Sequence, residues 1–122
     1  MSSLATELAI QKELTKAFIK TQPVDITLVP RTKEKMPAGG YRWVEEAPRL
    51  AQTMRLIEPP NPMDPIQAAD GIERAVEFIL LARHDAALGV YDVFYHVGQY
   101  WEVGQLFFEN GWERRAKVIR HG

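Results

Sequence analysis

The alternation of apolar and polar residues is clearest in the last third of the chain, Tyr91–His121. Three short runs rich in Val, Phe, Tyr and Trp are separated by two glycine-containing breaks, at Val97–Gln99 and at Asn110-Gly111. Runs of this composition between glycine turns are typical of β-strands, so the stretch predicts a three-stranded antiparallel meander. Asn-Gly favours a two-residue type I′ turn, which would pair Gln105–Glu109 with Trp112–Ala116.

The two faces of the middle strand follow from the period of two. One side is predicted to carry Trp101, Val103 and Phe107, and the other Tyr100, Glu102 and Leu106. The first face is apolar, but large residues also occur on the second. That outer surface needs a partner, which makes Tyr100 and Leu106 candidate subunit-interface residues.

The chain opens with a pattern of period 3.6 that predicts an amphipathic helix from about Leu4 to Lys20, ended by Pro23. Its apolar positions fall in one arc and its charged positions lie largely opposite. This apolar arc can pack either on the protein's own sheet or on a neighbouring subunit. The candidate interface residues on the helix are Leu4, Leu8, Leu14 and Phe18.

Further strands are predicted at Val24–Pro30, Gln52–Glu58 and Ile72–Arg83. All eight prolines lie between Pro23 and Pro65, and the cluster Pro59–Pro65 predicts a stiff extended connector. One helix followed by about six short strands with Gly and Pro turns indicates a mainly β fold, a small antiparallel β-barrel or sandwich. Residues 1–122 are expected to form a single domain, with the helix in residues 1–22 and the barrel in residues 23–122.

The stretch Arg31–Pro48 differs in composition and is predicted to be a long exposed loop. Around Glu34 it carries four cations, and it contains Gly39-Gly40 with two aromatic residues just beyond. Its cations would face phosphates or an acidic partner. The candidate DNA-facing residues are Arg31, Lys33, Lys35 and Arg42; the candidate hinge and anchor residues are Gly39, Gly40, Tyr41 and Trp43.

Composition narrows the classes of function. The 122 residues carry a net charge of −1, which gives no global attraction to nucleic acid or to an anionic membrane. The absence of cysteine excludes disulfides and thiolate chemistry. The sequence contains no apolar run that would span a membrane and no signal peptide pattern, so we expect a soluble protein made in a cytoplasm.

Candidate catalytic chemistry is sparse. His84, Asp85, Asp92 and His96 lie close in sequence, but their spacing matches no metal-ligand motif. Glu45-Glu46 are adjacent and point apart, so they are interpreted as solvated charges rather than an acid–base pair. No nucleophile elbow, phosphate loop or dinucleotide fingerprint occurs. We therefore expect no enzymatic activity, no metal and no cofactor.

Several short segments, taken in their order along the chain, resemble a known family of proteins. The segments are Lys35–Gly40, Pro48-Arg49, Gln52–Ile57, Val76–Ala82 with Asp85-Ala86, Tyr100–Val103 and Asn110–Gly122. Together they resemble the head-to-tail stopper proteins of long-tailed (siphovirus-type) actinobacterial phages, which belong to the head-completion, or head-closure, proteins. The likeness runs from about Arg31 to the C-terminus and rests on the order of the segments and on the closing run; the N-terminal helix matches least.

The resemblance implies a structural protein of the virion neck, assembled in the host cytoplasm. Such proteins form a ring, here of six copies to match a sixfold tail, between the portal-bound adaptor and the tail terminator or first tail-tube ring. A loop between early strands projects into the channel and retains the packaged double-stranded DNA until ejection. By position this loop is Arg31–Pro48, whose cations would touch DNA transiently without reading its sequence.

Alternative functions remain open at this stage. Another neck or tail component, a tail terminator or an adaptor, would share the virion setting, and an adaptor would be mostly helical. An OB-like nucleic-acid-binding barrel would use Tyr95, Tyr100 and Trp101 to stack on bases, although the near-neutral charge weighs against it. A hydrolase is the most distant alternative.

Overall fold

The computed structural model describes the backbone of residues 4–120 and the side chains of residues 5–106 and 110–120. Within this part the protein has one helix and ten strands. The elements are α1 (Leu4–Thr21), β1 (Val24–Ile26), β2 (Arg31–Lys35), β3 (Tyr41–Glu45), β4 (Gln52–Ile57), β5 (Ile66–Gln67), β6 (Glu73–Arg74), β7 (Val76–Arg83), β8 (Val93–His96), β9 (Gln99–Glu109) and β10 (Glu113–Arg120).

Six of the strands form an antiparallel sheet in the order β1-β4-β7-β10-β9-β8. The two outer strands approach each other, because the chain just after β1 forms a bridge between Val29 and Val93. Each of these residues donates its backbone N–H to the carbonyl of the other, at 2.8 and 3.0 Å. The sheet therefore curls into a nearly closed β-barrel, as the strand pattern predicts.

Side chains from every strand of the barrel fill its interior. Phe94 and Trp101 are the bulky aromatic members, and their neighbours are aliphatic. Trp101 and Val103 point inward as predicted. The interior residues are Ile26, Leu28, Met54, Leu80, Ala82, Ala86, Leu88, Phe94, Trp101, Val103, Ala116 and Val118.

A β-bulge in β9 corrects the predicted faces of that strand. Val118 of β10 pairs with Val103 and Lys117 pairs with Gln105, so Gly104 has no partner between them. One extra residue reverses the side on which the next side chains, those of Gln105 and Leu106, project, before a second register shift follows at residue 107. Leu106, predicted to lie on the outer face, consequently packs against the core. The predicted inward position of Phe107 falls outside the described side chains.

The two predicted hairpin turns of the meander have different outcomes. Val97 and Gly98 connect β8 to β9 with φ angles of +51° and +71°, as a type I′ turn requires, so this turn is confirmed. The predicted two-residue turn at Asn110-Gly111 is wrong, because β9 and β10 first pair at Glu109 and Arg114. The chain turns over residues 110–112 before β10 begins, and Asn110 Oδ1 accepts hydrogen bonds from the backbone N–H groups of residues 112 and 113 at 3.0 and 3.1 Å.

The helix α1 packs across β4 and β7 on the outside of the barrel. Thr15 and Ile19 are the residues that it buries, whereas the predicted apolar arc is largely exposed, with Ile10, Leu14 and Phe18 accessible at 54, 57 and 45%. The helix therefore packs on its own sheet through a face next to the predicted one. Of the remaining interface candidates, Leu8 is half-buried and the Leu4 side chain lies outside the described part.

Two other predicted segments fare differently. Residues 58–65 contain no strand, in agreement with a proline connector. The predicted strand Ile72–Arg83 is divided between β6 and the longer β7, and β6 pairs with β5 in a small hairpin. Ile66 of that hairpin packs over Gly104, where an added Cβ would come within 2.2 Å of Ile66 Cδ1. The small hairpin thus covers part of the outer surface of β9.

Candidate functional site

Strands β2 and β3 form a separate two-stranded sheet, so the prediction of an irregular loop over residues 31–48 is wrong. Five residue pairs build this hairpin, from Arg31 opposite Glu45 to Lys35 opposite Tyr41. At about 3.3 Å per residue, five pairs give a reach of roughly 16 Å before the turn. Residues 32–42 are all exposed, which shows that the hairpin extends away from the barrel.

The register gives the hairpin two chemically different faces, because residues directly opposite each other in antiparallel strands project to the same side. We call the first the cation–aromatic face. It carries Arg31, Lys33, Lys35, Tyr41, Trp43 and Glu45. The second face carries Thr32, Glu34, Arg42 and Val44.

Lysine and aromatic side chains interact along the cation–aromatic face. Lys33 Nζ lies 5.0 Å from the ring centre of Tyr41 and 5.9 Å from that of Trp43, both within cation–π range. Lys35 and Tyr41 are exposed towards the tip. This face presents two ammonium groups and an accessible aromatic ring to whatever lies beside it.

The second face is electrically neutralised by its own residues. Arg42 Nη2 lies 3.3 Å from Glu34 Oε1, and Thr32 Oγ1 donates to Glu46 Oε1 at 2.6 Å. Arg42, predicted to face DNA together with Lys33 and Lys35, is thus on the opposite side of the hairpin from them and already has an acidic partner. The four predicted cations do not form one surface.

The glycines of the predicted hinge shape the tip of the hairpin instead of its base. Gly39 and Gly40 have φ angles of +95° and +77°, which favour glycine. The turn is closed by Met36, whose carbonyl accepts from the Gly39 N–H and whose N–H donates to the Gly40 carbonyl, each at 3.0 Å. Tyr41, predicted to anchor the base, is 62% exposed beside this tip, so that assignment is wrong.

A buried ion pair fixes the base of the hairpin. Arg31 Nη2 donates to Glu102 Oε1 at 2.5 Å, and the two side chains are only 7 and 1% exposed. Arg31 Nε also donates to the Tyr91 carbonyl at 2.8 Å, and the other Glu102 oxygen accepts from the Ala69 N–H at 2.9 Å. The prediction that Arg31 faces DNA is therefore wrong, because its guanidinium is buried and paired with Glu102 inside the protein.

Trp43 completes this arrangement, as the sequence predicted for an anchor. Its Nε1 donates to the Ala69 carbonyl at 3.0 Å, and its ring lies 4.8 Å from the ring of Tyr91. The Arg31 guanidinium sits 5.5 Å from the Trp43 ring centre. We call Arg31, Trp43, Ala69, Tyr91 and Glu102 the base cluster; it joins the hairpin to the turn between β5 and β6, to the loop before β8 and to β9.

A second ion pair holds the chain where it leaves the hairpin. Arg49 Nε donates to Asp92 Oδ2 at 2.9 Å, and the same oxygen accepts from the Gly89 N–H at 3.0 Å. The Asp92 side chain is 3% exposed. The backbone N–H of Arg49 also donates to the Leu28 carbonyl at 2.8 Å. Both ends of the hairpin are thus fixed to the barrel.

Tyr100, a candidate interface residue, lies beside the hairpin and is partly buried. Burial raises the pKa of the Tyr100 phenol above its usual value, and the Glu45 carboxylate adds to the rise because it would repel a phenolate. The hydroxyl therefore stays protonated at neutral pH, where it donates to Glu45 Oε1 at 3.4 Å. The exposed ring of Tyr95 packs edge-on against Tyr100.

The structure does not bring the metal-ligand candidates together. Among the described side chains, those of residues 5–106 and 110–120, no group of three or more His, Asp or Glu is placed to hold a metal ion. Asp92 is committed to Arg49. No helix in the same range has the length and apolar character needed to cross a lipid bilayer.

Glu102 and Asp92 are the structural residues that the sequence reasoning missed. The period of two places Glu102 on the outer face, and Asp92 stands out in the sequence only through its closeness to His84, Asp85 and His96. A single carboxylate inside the apolar run Tyr100–Val103 was the available signal, since an acidic residue is rarely buried without a partner. Its partner Arg31 lies 71 positions away, where no local pattern points to it.

Comparisons with known proteins add no assignment: no protein-family model and no curated protein matches the chain.

Proposed function

We propose that this protein is a head-to-tail stopper of a long-tailed phage, a ring-forming component of the virion neck that closes the DNA channel until ejection. The observation that carries the proposal is the hairpin β2–β3, which projects from the barrel and is fixed at its base by the buried Arg31–Glu102 pair. A channel-closing element has to extend into the channel and keep its direction under load. A rigid hairpin with a fixed base meets both requirements.

The charge on the hairpin supports the same proposal. Lys33 and Lys35 of the cation–aromatic face remain at the surface, while the other two cations of the hairpin, Arg31 and Arg42, are paired with acidic residues. Lysine ammonium groups attract phosphates without reading bases, which suits DNA of any sequence passing through a channel. Six copies would bring about twelve such lysines around the axis, so a weak attraction per copy adds up. The DNA-facing residues are accordingly Lys33 and Lys35.

The alternatives fit the structure less well. An adaptor is expected to be mostly helical, whereas the described chain has a single helix of 18 residues. An OB-like barrel that stacks bases on Trp101 conflicts with the burial of that ring, which is 5% exposed and donates its Nε1 to the His96 carbonyl. A tail terminator is the second candidate within the virion, because a terminator ring differs from a stopper ring chiefly in the neighbouring ring that it contacts.

DNA binding by the purified chain tests the assignment of the two hairpin faces. We expect Lys33→Gln and Lys35→Gln each to reduce the slope of log affinity against log salt concentration by about one, the change for one lost phosphate contact. Arg42→Gln is the matched control, since it also removes one exposed cation from the hairpin but from the neutralised face. The measurement is a titration of double-stranded DNA at several low salt concentrations. Equal slopes for all three variants would contradict the assignment.

A further inference from the structure

Leu50 combines a highly exposed side chain with neighbours that are fixed by hydrogen bonds. Its side chain is 89% exposed, the highest exposure among the large apolar residues described. The backbone on both sides is nevertheless fixed, by the Arg49 N–H on the Leu28 carbonyl and by two hydrogen bonds of 2.8 Å between the Gln52 side chain and the Ala87 backbone. An exposed leucine between two fixed neighbours resembles an interface anchor, because little backbone ordering is needed when it becomes buried.

A groove with both apolar and polar lining lies between α1 and the start of β10. It has a volume of about 550 Å³ and is lined on the helix side by the exposed Leu14 and Phe18. Leu81 and Trp112 are the apolar residues on its barrel side. A second groove of about 540 Å³, lined partly by Leu8 and Ile10, shares Trp112 with it. The combined surface accommodates a leucine side chain and its neighbours.

The leucine and the groove lie on opposite sides of the barrel. Leu50 follows the segment bonded to Leu28, next to the Val29–Val93 bridge that joins the two outer strands of the sheet. The groove lies over β7 and β10, the two middle strands in the order β1-β4-β7-β10-β9-β8. In a closed six-stranded barrel these two junctions are diametrically opposed. One copy therefore cannot fill its own groove, whereas the next copy in a head-to-tail arrangement can.

Charge favours the same pairing. The segment that leads to Leu50 carries the exposed Glu46, while Phe18 at the edge of the groove is covered by the Arg55 guanidinium, 4.0 Å from the ring centre. The hydrogen bonds of Arg55 go to the Phe18 carbonyl and the Thr21 hydroxyl, neither of which carries a formal charge. Because Arg49 in the same segment is paired with Asp92, the exposed Glu46 carboxylate and the Arg55 guanidinium are the two groups that are complementary in charge.

We propose that Leu50 of one copy inserts into the groove between α1 and β10 of a second copy, forming the repeated contact of a closed ring. The contact is heterologous, so each subunit contributes the leucine at one side and the groove at the other. The proposal rests on the ring expected for a stopper and names the contact that closes it. Leu14 and Phe18, two of the helix residues predicted as interface candidates, then face a neighbouring subunit.

Disulfide trapping tests the contact, because the natural chain contains no cysteine and introduced thiols are unique. We expect the full chain carrying both Leu50→Cys and Leu14→Cys to form a ladder of covalent oligomers when oxidised at high concentration. The control carries Ile72→Cys with Leu14→Cys, which places one thiol at another exposed apolar site, 56% accessible. A ladder of equal strength in the control, or none in the Leu50 variant, would overturn the proposal.

Two further measurements separate the possible failures. If Leu14→Cys alone gives the dominant dimer, the helices meet symmetrically and the head-to-tail contact is wrong. Leu50→Ala should weaken self-association, measured by sedimentation, about tenfold, as expected for a central apolar anchor. If the Leu50 variant forms the ladder but the protein is absent from the phage neck, the contact is supported and the stopper function is wrong. If the protein forms a ring in the neck but Leu50 faces solvent there, the stopper function is supported and the contact is wrong.

Discussion

The substitution Arg31→Met is expected to lower the free energy of unfolding by about 3–5 kcal/mol, the cost of leaving one member of a buried ion pair without its partner. Glu102 would lose the Arg31 guanidinium while keeping the Ala69 N–H, and the Tyr91 carbonyl would lose the Arg31 donor. Urea denaturation followed by circular dichroism measures the change. Because the substitution preserves much of the apolar length of the side chain, the loss reports mainly on charge and hydrogen bonds.

The hairpin provides a matched control for this experiment. Arg42→Met removes the same functional group from the exposed pair with Glu34, whose side chains are 61 and 51% accessible. Exposed pairs contribute little, so the expected loss is within about 1 kcal/mol. Adding Glu102→Leu to Arg31→Met should recover part of the lost stability, since no buried charge then remains. Similar losses for Arg31→Met and Arg42→Met would show that the base cluster does not hold the hairpin.

Reversing the charge of the cation–aromatic face should have the largest effect on function. In a virion carrying Lys33→Glu with Lys35→Glu, every copy in the ring would present carboxylates to the DNA in place of ammonium groups. We expect the fraction of heads that keep their genome to fall about tenfold, because the repulsion adds over all copies. Particle counts by electron microscopy, combined with packaged DNA per particle, give this fraction.

Two single substitutions distinguish the effect of where a charge lies on the hairpin from the effect of the net charge of the protein. Lys35→Glu and Arg42→Glu change the charge of the protein by the same amount on exposed residues of one hairpin. The first acts on the cation–aromatic face and the second on the neutralised face, so only the first should cause loss of DNA. Equal losses from both would mean that the overall charge of the hairpin matters and that its faces do not.

The barrel was predictable because its strands obey the period of two and are broken by Gly and Pro. Trp101 and Val103 occupy the interior, and the Val97-Gly98 turn forms where the sequence indicates it. The bulge at Gly104 was not predictable from periodicity, since a glycine in a strand does not reveal whether the register shifts there. That single residue places Leu106 on the core side.

The sequence predicts a loop in place of the hairpin β2–β3 for a different reason. Its strands bury almost nothing, so they lack the apolar alternation by which strands are recognised in a sequence. The information that fixes its direction is the contact of Arg31 with Glu102, which are far apart along the chain. The cations were found from composition alone, but only the register of β2 with β3 separates Lys33 and Lys35 from Arg42.

The orientation of the helix was predicted only approximately. Periodicity identifies an apolar arc, yet the barrel accepts Thr15 and Ile19, one step around from that arc. Arg55 contributes to this orientation by binding the Phe18 carbonyl and the Thr21 hydroxyl at the end of α1. When a helix has apolar residues on two adjacent faces, tertiary contacts of this kind decide which face packs on the barrel. No local sequence pattern encodes those contacts.

An averaged electron cryo-microscopy map of a phage neck, from the virion in which the protein is proposed to reside, tests the central claim most directly. The stopper function predicts a ring of β-barrels between the adaptor and the tail, with the hairpin β2–β3 pointing to the axis and Lys33 and Lys35 towards the DNA. A neck without this protein, or a ring in which the hairpins point outward, would contradict it.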